Sequence, residues 1–174
     1  MALSMHKHLM MKAVCYVATG EGWATGRKII LRSDGIGSCV VTMAYDRQRR
    51  IGALAHILLP GRSARGEVFN QKYAGDAVQV LLSRMLRLGA DAAGLEACLV
   101  GGANVLNYPA DTLCEAIAAS VSESLARERV RIVARACGGT LNRCAALDIE
   151  TGTVWYREAA GEEKILHIWG DIHG

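Results

Sequence analysis

The chain has 174 residues, of which 51% are hydrophobic and 21% charged, with a formal net charge of +3. That is enough chain for one sizeable core, and a single domain spanning 1–174 is expected. The weak basic excess and the scarcity of aromatics argue against a nucleic-acid binder, and no stretch approaches the ~18 apolar residues of a membrane span. Arg47, Arg49 and Arg50, and then Arg127, Arg129, Arg131 and Arg135, read as solvated turns and helix ends. The six cysteines (Cys15, Cys39, Cys98, Cys114, Cys137, Cys144) contain no CxxC pair, and the N-terminus lacks an apolar run before a small-residue cleavage site. A cytosolic protein with reduced thiols is expected, most of them behaving as small buried hydrophobes.

In chain order, short apolar runs at 12–18 and 27–32 read as strands. SCVVTMAY (38–45) and IGALAHILL (51–59) follow, separated by Asp46-Arg47-Gln48-Arg49-Arg50, which is a hairpin signal. Residues 72–88 set Tyr73, Ala77, Val80, Leu81, Leu82, Met85 and Leu88 at helical spacing, with Gly89 just past the end. EACLVGG (96–102) is a strand running into a glycine turn. A second helix is expected over 110–128, capped by Asp111, with Leu113, Ile117, Ala118, Val121 and Leu125 on one face. VRIVARA (130–136), RCAALDIE (143–150) and TVWYRE (153–158) read as strands, the last two joined at Thr151-Gly152, and the tail from Gly161 carries no clear pattern. Seven or eight strands in hairpin-like groups with two helices between them argue for an α+β fold with largely antiparallel or mixed sheets. The runs at 38–45 and 51–59 are apolar on both faces, so both faces should be covered, as in a layered sandwich.

If Arg47-Gln48 is a two-residue hairpin loop, continuing the ladder sets Cys39 directly opposite His56, with Cβ atoms about 5 Å apart on one face. A one-residue slip would put the two on opposite faces. Cys39 also follows Gly35-Ile36-Gly37-Ser38. A glycine-rich turn there lets a substrate carbonyl approach and leaves the backbone N–H groups of Gly37, Ser38 and Cys39 to face a developing oxyanion. An adjacent imidazolium would lower the thiol pKa and hold the thiolate, which is nucleophile–base logic. The plainer alternative is a buried cysteine and a packed core histidine.

GIGSCVVTMAYD, followed at the right distance by IGALAHILLPG, closely resembles the signature of the CheD family of chemoreceptor glutamine deamidases. KYAGDAVQVLLSRMLRLGA, EACLVGGANVL and GGTLNRCAALDIETGTV continue the resemblance in order, over about 12–158. The resemblance implies an α/β/β/α layered sandwich, shared with a bacterial toxin deamidase and related cysteine hydrolases. It implies Cys39 as nucleophile and His56 as catalytic histidine, with Ser33 at the position of a family threonine, keeping the hydroxyl and losing the methyl. It implies hydrolysis of receptor glutamines to glutamates through a thioester, without metal or cofactor. Methyl-accepting chemotaxis receptors are the implied partners, together with a CheC-type phosphatase. The family often carries a bulky Met-Phe after its Gly-Gly-Ala turn. Asn104, Val105 and Leu106 stand here instead, a departure that bears on the phosphatase more than on catalysis. Two other readings stay open: an inactive family member that regulates a receptor or phosphatase by contact, and a cysteine hydrolase of the same fold with another substrate.

Cys137 and Cys144 are too few and too far apart for a zinc site. His167 and His173, with Asp171 between, read as a frayed tail rather than a ligand pair, and His6 and His8 as exposed and inert. Gly101, Gly102, Gly138 and Gly139 are candidates to shape the floor of the site, and Arg143 carries no assigned role.

Overall fold

Continuous apolar runs that are buried on both faces need a layer on each side, and the described residues supply them with two sheets and a pair of helices. The computed structural model describes residues 12–64 and 68–170. Among them are β1 (Val14–Tyr16), β2 (Gly22–Thr25), β3 (Ile30–Ile36), β4 (Val40–Asp46), β5 (Ile51–Ile57), α1 (Ala74–Arg87), β6 (Leu95–Gly101), α2 (Leu113–Arg127), β7 (Arg131–Cys137), β8 (Arg143–Asp148), β9 (Thr153–Glu158) and β10 (Lys164–Ile168). The first sheet runs β1-β3-β8-β9-β10 and the second β2-β5-β4-β6-β7. Among the described strands only the β1–β3 and β6–β7 pairs are parallel, so the sheets are mixed and largely antiparallel, as the sequence pattern predicts.

Every residue of β4 and β5 is buried. One side of this central hairpin (Val40, Ala44, Ala53, Ala55, Ile57) packs with Ala77, Leu81 and Met85 of α1 and Ile117, Val121 and Leu125 of α2. The small alanines let both helices lie close to the sheet; truncating one of the large helix residues to Ala should cost about 2–5 kcal/mol. The other side (Val41, Met43, Tyr45, Leu54) packs against Leu31, Ile36, Ala145, Leu147 and Val154 of the first sheet. Among the described residues both helices cover the second sheet, giving an α/β/β stack.

Helix α1 ends as the pattern predicts: Gly89 N–H donates to Leu86 and Ala90 N–H to Met85, the paired bonds of a Schellman cap. Helix α2 starts at Leu113, three residues into the expected 110–128 span, and its cap is one residue later than the expected Asp111. Thr112 is the cap position, and Asp111 instead accepts from Leu113 N–H at 3.0 Å, so its carboxylate closes a local turn before the helix. Two strands were absent from the sequence reading. β2 pairs on the edge of β5, and β10 pairs with β9 through a bulge between Ile165 and His167. The tail is therefore not frayed up to this point: Trp169 stacks on Tyr45 at 5.2 Å, meets the His167 ring edge-on, and donates from Nε1 to Glu96. His6, His8, Asp171 and His173 lie outside the described residues.

The register of the central hairpin also differs from expectation. Asp46 pairs with Ile51 and Val41 with His56, so the loop is the four residues Arg47–Arg50 rather than Arg47-Gln48. The cause is Asp46. Its Oδ1 accepts from both Gln48 N–H and Arg49 N–H at 3.0 Å, winding the chain into a wider turn that Arg50 closes at φ 52°. The β8–β9 hairpin repeats the device: Asp148 Oδ1 accepts from Glu150 and Thr151, and Gly152 takes the left-handed position.

Candidate active site

Cys39 lies on the short crossover that carries the chain from β3 in the first sheet to β4 in the second. It is not a direct ladder partner of His56, because Val41 occupies that place. The correction is a slip of two residues, which preserves sheet face. Cys39 stands one residue before the first ladder pair, Val40 with Ile57, at the end of the hairpin where His56 also lies. Both are buried: 8% of Cys39 is exposed and 1% of His56.

Ser33 reaches the same space from the opposite sheet. Along β3, Leu31 and Ser33 point inward, and a bulge between Ser33 and Ile36 resets the alternation so that Ile36 points inward as well. Ser33 Oγ lies 2.7 Å from His56 Nδ1 and donates its proton to the Val17 carbonyl at 2.8 Å. A hydroxyl has one proton to give. With that proton on Val17, Ser33 accepts from Nδ1–H, and the neutral ring carries its free lone pair on Nε2. Among the described residues Nε2 is buried without a partner. A buried ring nitrogen left open in this way is unusual and is available to a thiol or a water.

Burial pushes the Cys39 thiol up from its ordinary value, opposed by its own backbone N–H, and pushes His56 down. Both directions favour neutral thiol and neutral imidazole at rest. The expected resting thiolate held by an imidazolium is therefore not what this environment favours, because desolvation penalises both charges.

The crossover is fixed by the turn after β6. Gly102 N–H donates to Cys39 O at 2.8 Å and Ala103 N–H to Gly37 O at 2.9 Å. Gly101 sits at φ 125°, and a Cβ there would fall 2.2 Å from Cys39 O, so only glycine admits this close approach. The carbonyls of Gly37 and Cys39 are thereby turned inward. Among the described residues no backbone carbonyl accepts from Ser38 or Cys39 N–H. Val105 lies over Gly37, and beside it Leu106 and Tyr108 are exposed. Among the described residues no cluster of three or more His, Cys, Asp or Glu side chains is arranged to hold a metal, and all six cysteines are free thiols. No helix among them is long and apolar enough to cross a membrane.

The family model for "CheD chemotactic sensory transduction" matches residues 58–158. The chain is 35% identical over 149 residues to a probable chemoreceptor glutamine deamidase CheD of Chlorobium luteolum, covering 85% of this chain and 74% of that protein. It is 36% identical over 157 residues to the protein of the same description from Pyrococcus abyssi, covering 88% and 92%. The chain belongs to the CheD family. The family-model match begins two residues beyond His56, so it contains neither Cys39 nor Ser33; the similarity to CheD relatives extends over most of the chain. Among solved structures, a Bacillus licheniformis hypothetical protein, YfiH, is similar at 21% identity and a TM-score of 0.35 over 50% of this chain and 29% of that one, too partial a likeness to fix a fold.

Sequence reasoning alone weighed Cys39 and His56; Ser33 came only from the resemblance. What it missed is the role of Val17, whose carbonyl takes the Ser33 proton and so sets the histidine tautomer. A backbone carbonyl leaves no mark in the sequence.

Proposed function

We propose that this CheD-family chain is a protein-glutamine deamidase that converts glutamine side chains on methyl-accepting chemotaxis receptors to glutamate, with Cys39 as nucleophile. The observation that carries the reading is the buried imidazole of His56, held at Nδ1 by Ser33 with Nε2 unpartnered. The Cys39 proton passes to His56 Nε2 as sulfur attacks the glutamine γ-carbonyl carbon. The carbonyl oxygen becomes an oxyanion that the Ser38 and Cys39 N–H groups can receive, with Gly37 shaping the approach. The intermediate collapses, His56 returns the proton to the departing nitrogen, and ammonia leaves a Cys39 thioester. His56 then takes a proton from water, the hydroxide displaces sulfur, and glutamate and the free thiol result. Ser33 acts by keeping Nε2 toward the sulfur in both halves. Neither half requires a metal or cofactor.

The exposed Val105, Leu106 and Tyr108 beside Gly37 are where a receptor helix would dock, and where a CheC-type phosphatase would compete with it. The receptors' signalling domains are cytoplasmic, and so is the proposed place of action.

The test is mass spectrometry of a recombinant receptor signalling domain incubated with the wild-type protein or Cys39→Ala. The expected outcome is conversion of specific glutamines by the wild type and a rate lower by more than about 10³-fold for the variant. Conversion by both would remove Cys39 from the mechanism. Conversion by neither, with the receptor still bound, would favour a regulatory binding module.

A further inference from the structure

Arg143 is the first residue of β8, and its partners in the ladder are Ile36 on β3 and Glu158 on β9. It shares the parity of Ala145 and Leu147, so it faces the second sheet from the first, at the end of the sandwich where the Cys39 crossover lies. Its side chain is buried, with 8% of the residue exposed. Nη2 donates to Glu158 Oε1 at 2.8 Å and Nη1 donates to the Gly138 carbonyl at 2.8 Å, while Nε has no partner among the described residues.

Gly138 and Gly139 lie in succession at φ 83° and 74°. Two adjacent left-handed glycines hold the least intrinsic preference for any one conformation and lose the most entropy when fixed. Something outside the turn must select its shape, and the Arg143 guanidinium is placed to do so. The selected turn then holds the next one: Gly138 N–H donates to Gly101 O at 3.0 Å and Gly139 O accepts from Asn104 N–H at 2.9 Å. Gly102 and Ala103, between those two anchor points, hold the carbonyls of Cys39 and Gly37.

We infer that Arg143, braced by Glu158, is a positioning residue for Cys39: it fixes the Gly138-Gly139 turn, which fixes the Gly101–Ala103 turn, which fixes the crossover bearing the thiol. The relay consists of hydrogen bonds of 2.8–3.0 Å from one sheet to the other, and no member but Cys39 touches the reacting atoms. Arg143 therefore acts on where the sulfur and its neighbouring N–H groups stand, and not on substrate binding. Lysine could reach Gly138 or Glu158 but lacks the planar fork that engages both.

The inference rests on Cys39 being the nucleophile, and the experiment separates the two. Arg143→Gln, Arg143→Lys and Glu158→Gln are compared with wild type and Cys39→Ala for kcat and KM on the receptor signalling domain. The rate of Cys39 alkylation by iodoacetamide is read by mass spectrometry of the Cys39 peptide, and melting temperature is recorded for each. Displacing a reacting group by about 1 Å can cost on the order of 10²-fold in rate. Arg143→Gln is expected to lose kcat on that scale, with KM changed by less than about threefold and the Cys39 alkylation rate shifted from wild type. Arg143→Lys should recover part of the loss, and Glu158→Gln should show a smaller loss of the same kind. Folded variants with wild-type kcat and alkylation rate would overturn the positioning role while leaving Cys39 as nucleophile. So would a loss confined to KM. If Arg143→Gln does not fold, Glu158→Gln decides by the same two readings. Full activity in Cys39→Ala would sink the nucleophile itself, whatever Arg143 does.

Discussion

Two buried polar centres flank the segment between β5 and α1, and they differ in how completely they are satisfied. Asp76, on the first turn of α1, has its carboxylate filled: Oδ2 accepts from Ser63 N–H, the Ser63 hydroxyl and Asn70 N–H, and Oδ1 lies 3.4 Å from an Arg62 guanidinium nitrogen. His56 is buried as deeply, yet one of its two nitrogens is left open. The first centre ties Arg62, Ser63 and Asn70 to the helix. The second keeps an unfilled lone pair in the interior. Equal burial thus goes with complete hydrogen bonding in one centre and an open position in the other, and it is the open one that the proposed mechanism uses.

The largest way to break this contrast is Asp76→Ala. It strands the N–H groups of Ser63 and Asn70 in a partly buried setting, and should cost about 3 kcal/mol of stability, with a melting temperature lower by roughly 10 °C. Activity per folded molecule should change far less, and a calorimetric scan beside an activity assay at low temperature checks both. An unchanged melting temperature would show that the Asp76 bonds hold nothing. Ser33→Ala comes next. It removes the acceptor for Nδ1–H and frees the ring to change tautomer, so kcat should fall by about 10–10²-fold at constant KM. Ser33→Thr should retain most of the activity.

The smallest effect is that of pH, where the two centres separate into different windows. Burial holds His56 below its usual 6.5, so the unfolded chain binds the extra proton first. Its contribution to stability is present above pH 6.5 and is lost as pH falls below that value. For Asp76, burial works to raise the pKa but is outweighed by the bonds from Ser63 and Asn70, and the carboxyl lies below its usual 3.8. Its contribution is present above about 3.8 and is lost as pH falls further. Urea titrations across pH 4–7 should show the His56 slope, and His56→Asn should remove that slope alone. The acid limb of kcat/KM should likewise lie below 6.5, since protonated His56 is no base.

Much of the fold was legible in the residues. The face of α1 containing Ala77, Leu81 and Met85, the Schellman end at Gly89, and the doubly buried β4 and β5 follow from period and composition. β2 escaped because Gly22–Thr25 is four residues with an exposed Trp23, strand-like only once β5 offers an edge. β10 escaped because what holds it is distant: Trp169 against Tyr45 and Glu96. The hairpin register missed by two residues because the Asp46 carboxylate widened the loop, and the even slip kept the face of each ladder residue, His56 included.

The sequence by itself determined the faces of the central strands and the turns that join them, because side-chain alternation and turn-capping aspartates act over a few residues. Tertiary structure alone decided that the β3 bulge would turn Ser33 and Ile36 to one interior, that Ser33 would meet His56 from the other sheet, and that Val17 would fix the tautomer. It also decided the direction of both shifts, the Cys39 thiol up and the His56 imidazole down, because desolvation belongs to the assembled core and is invisible in any local stretch of chain.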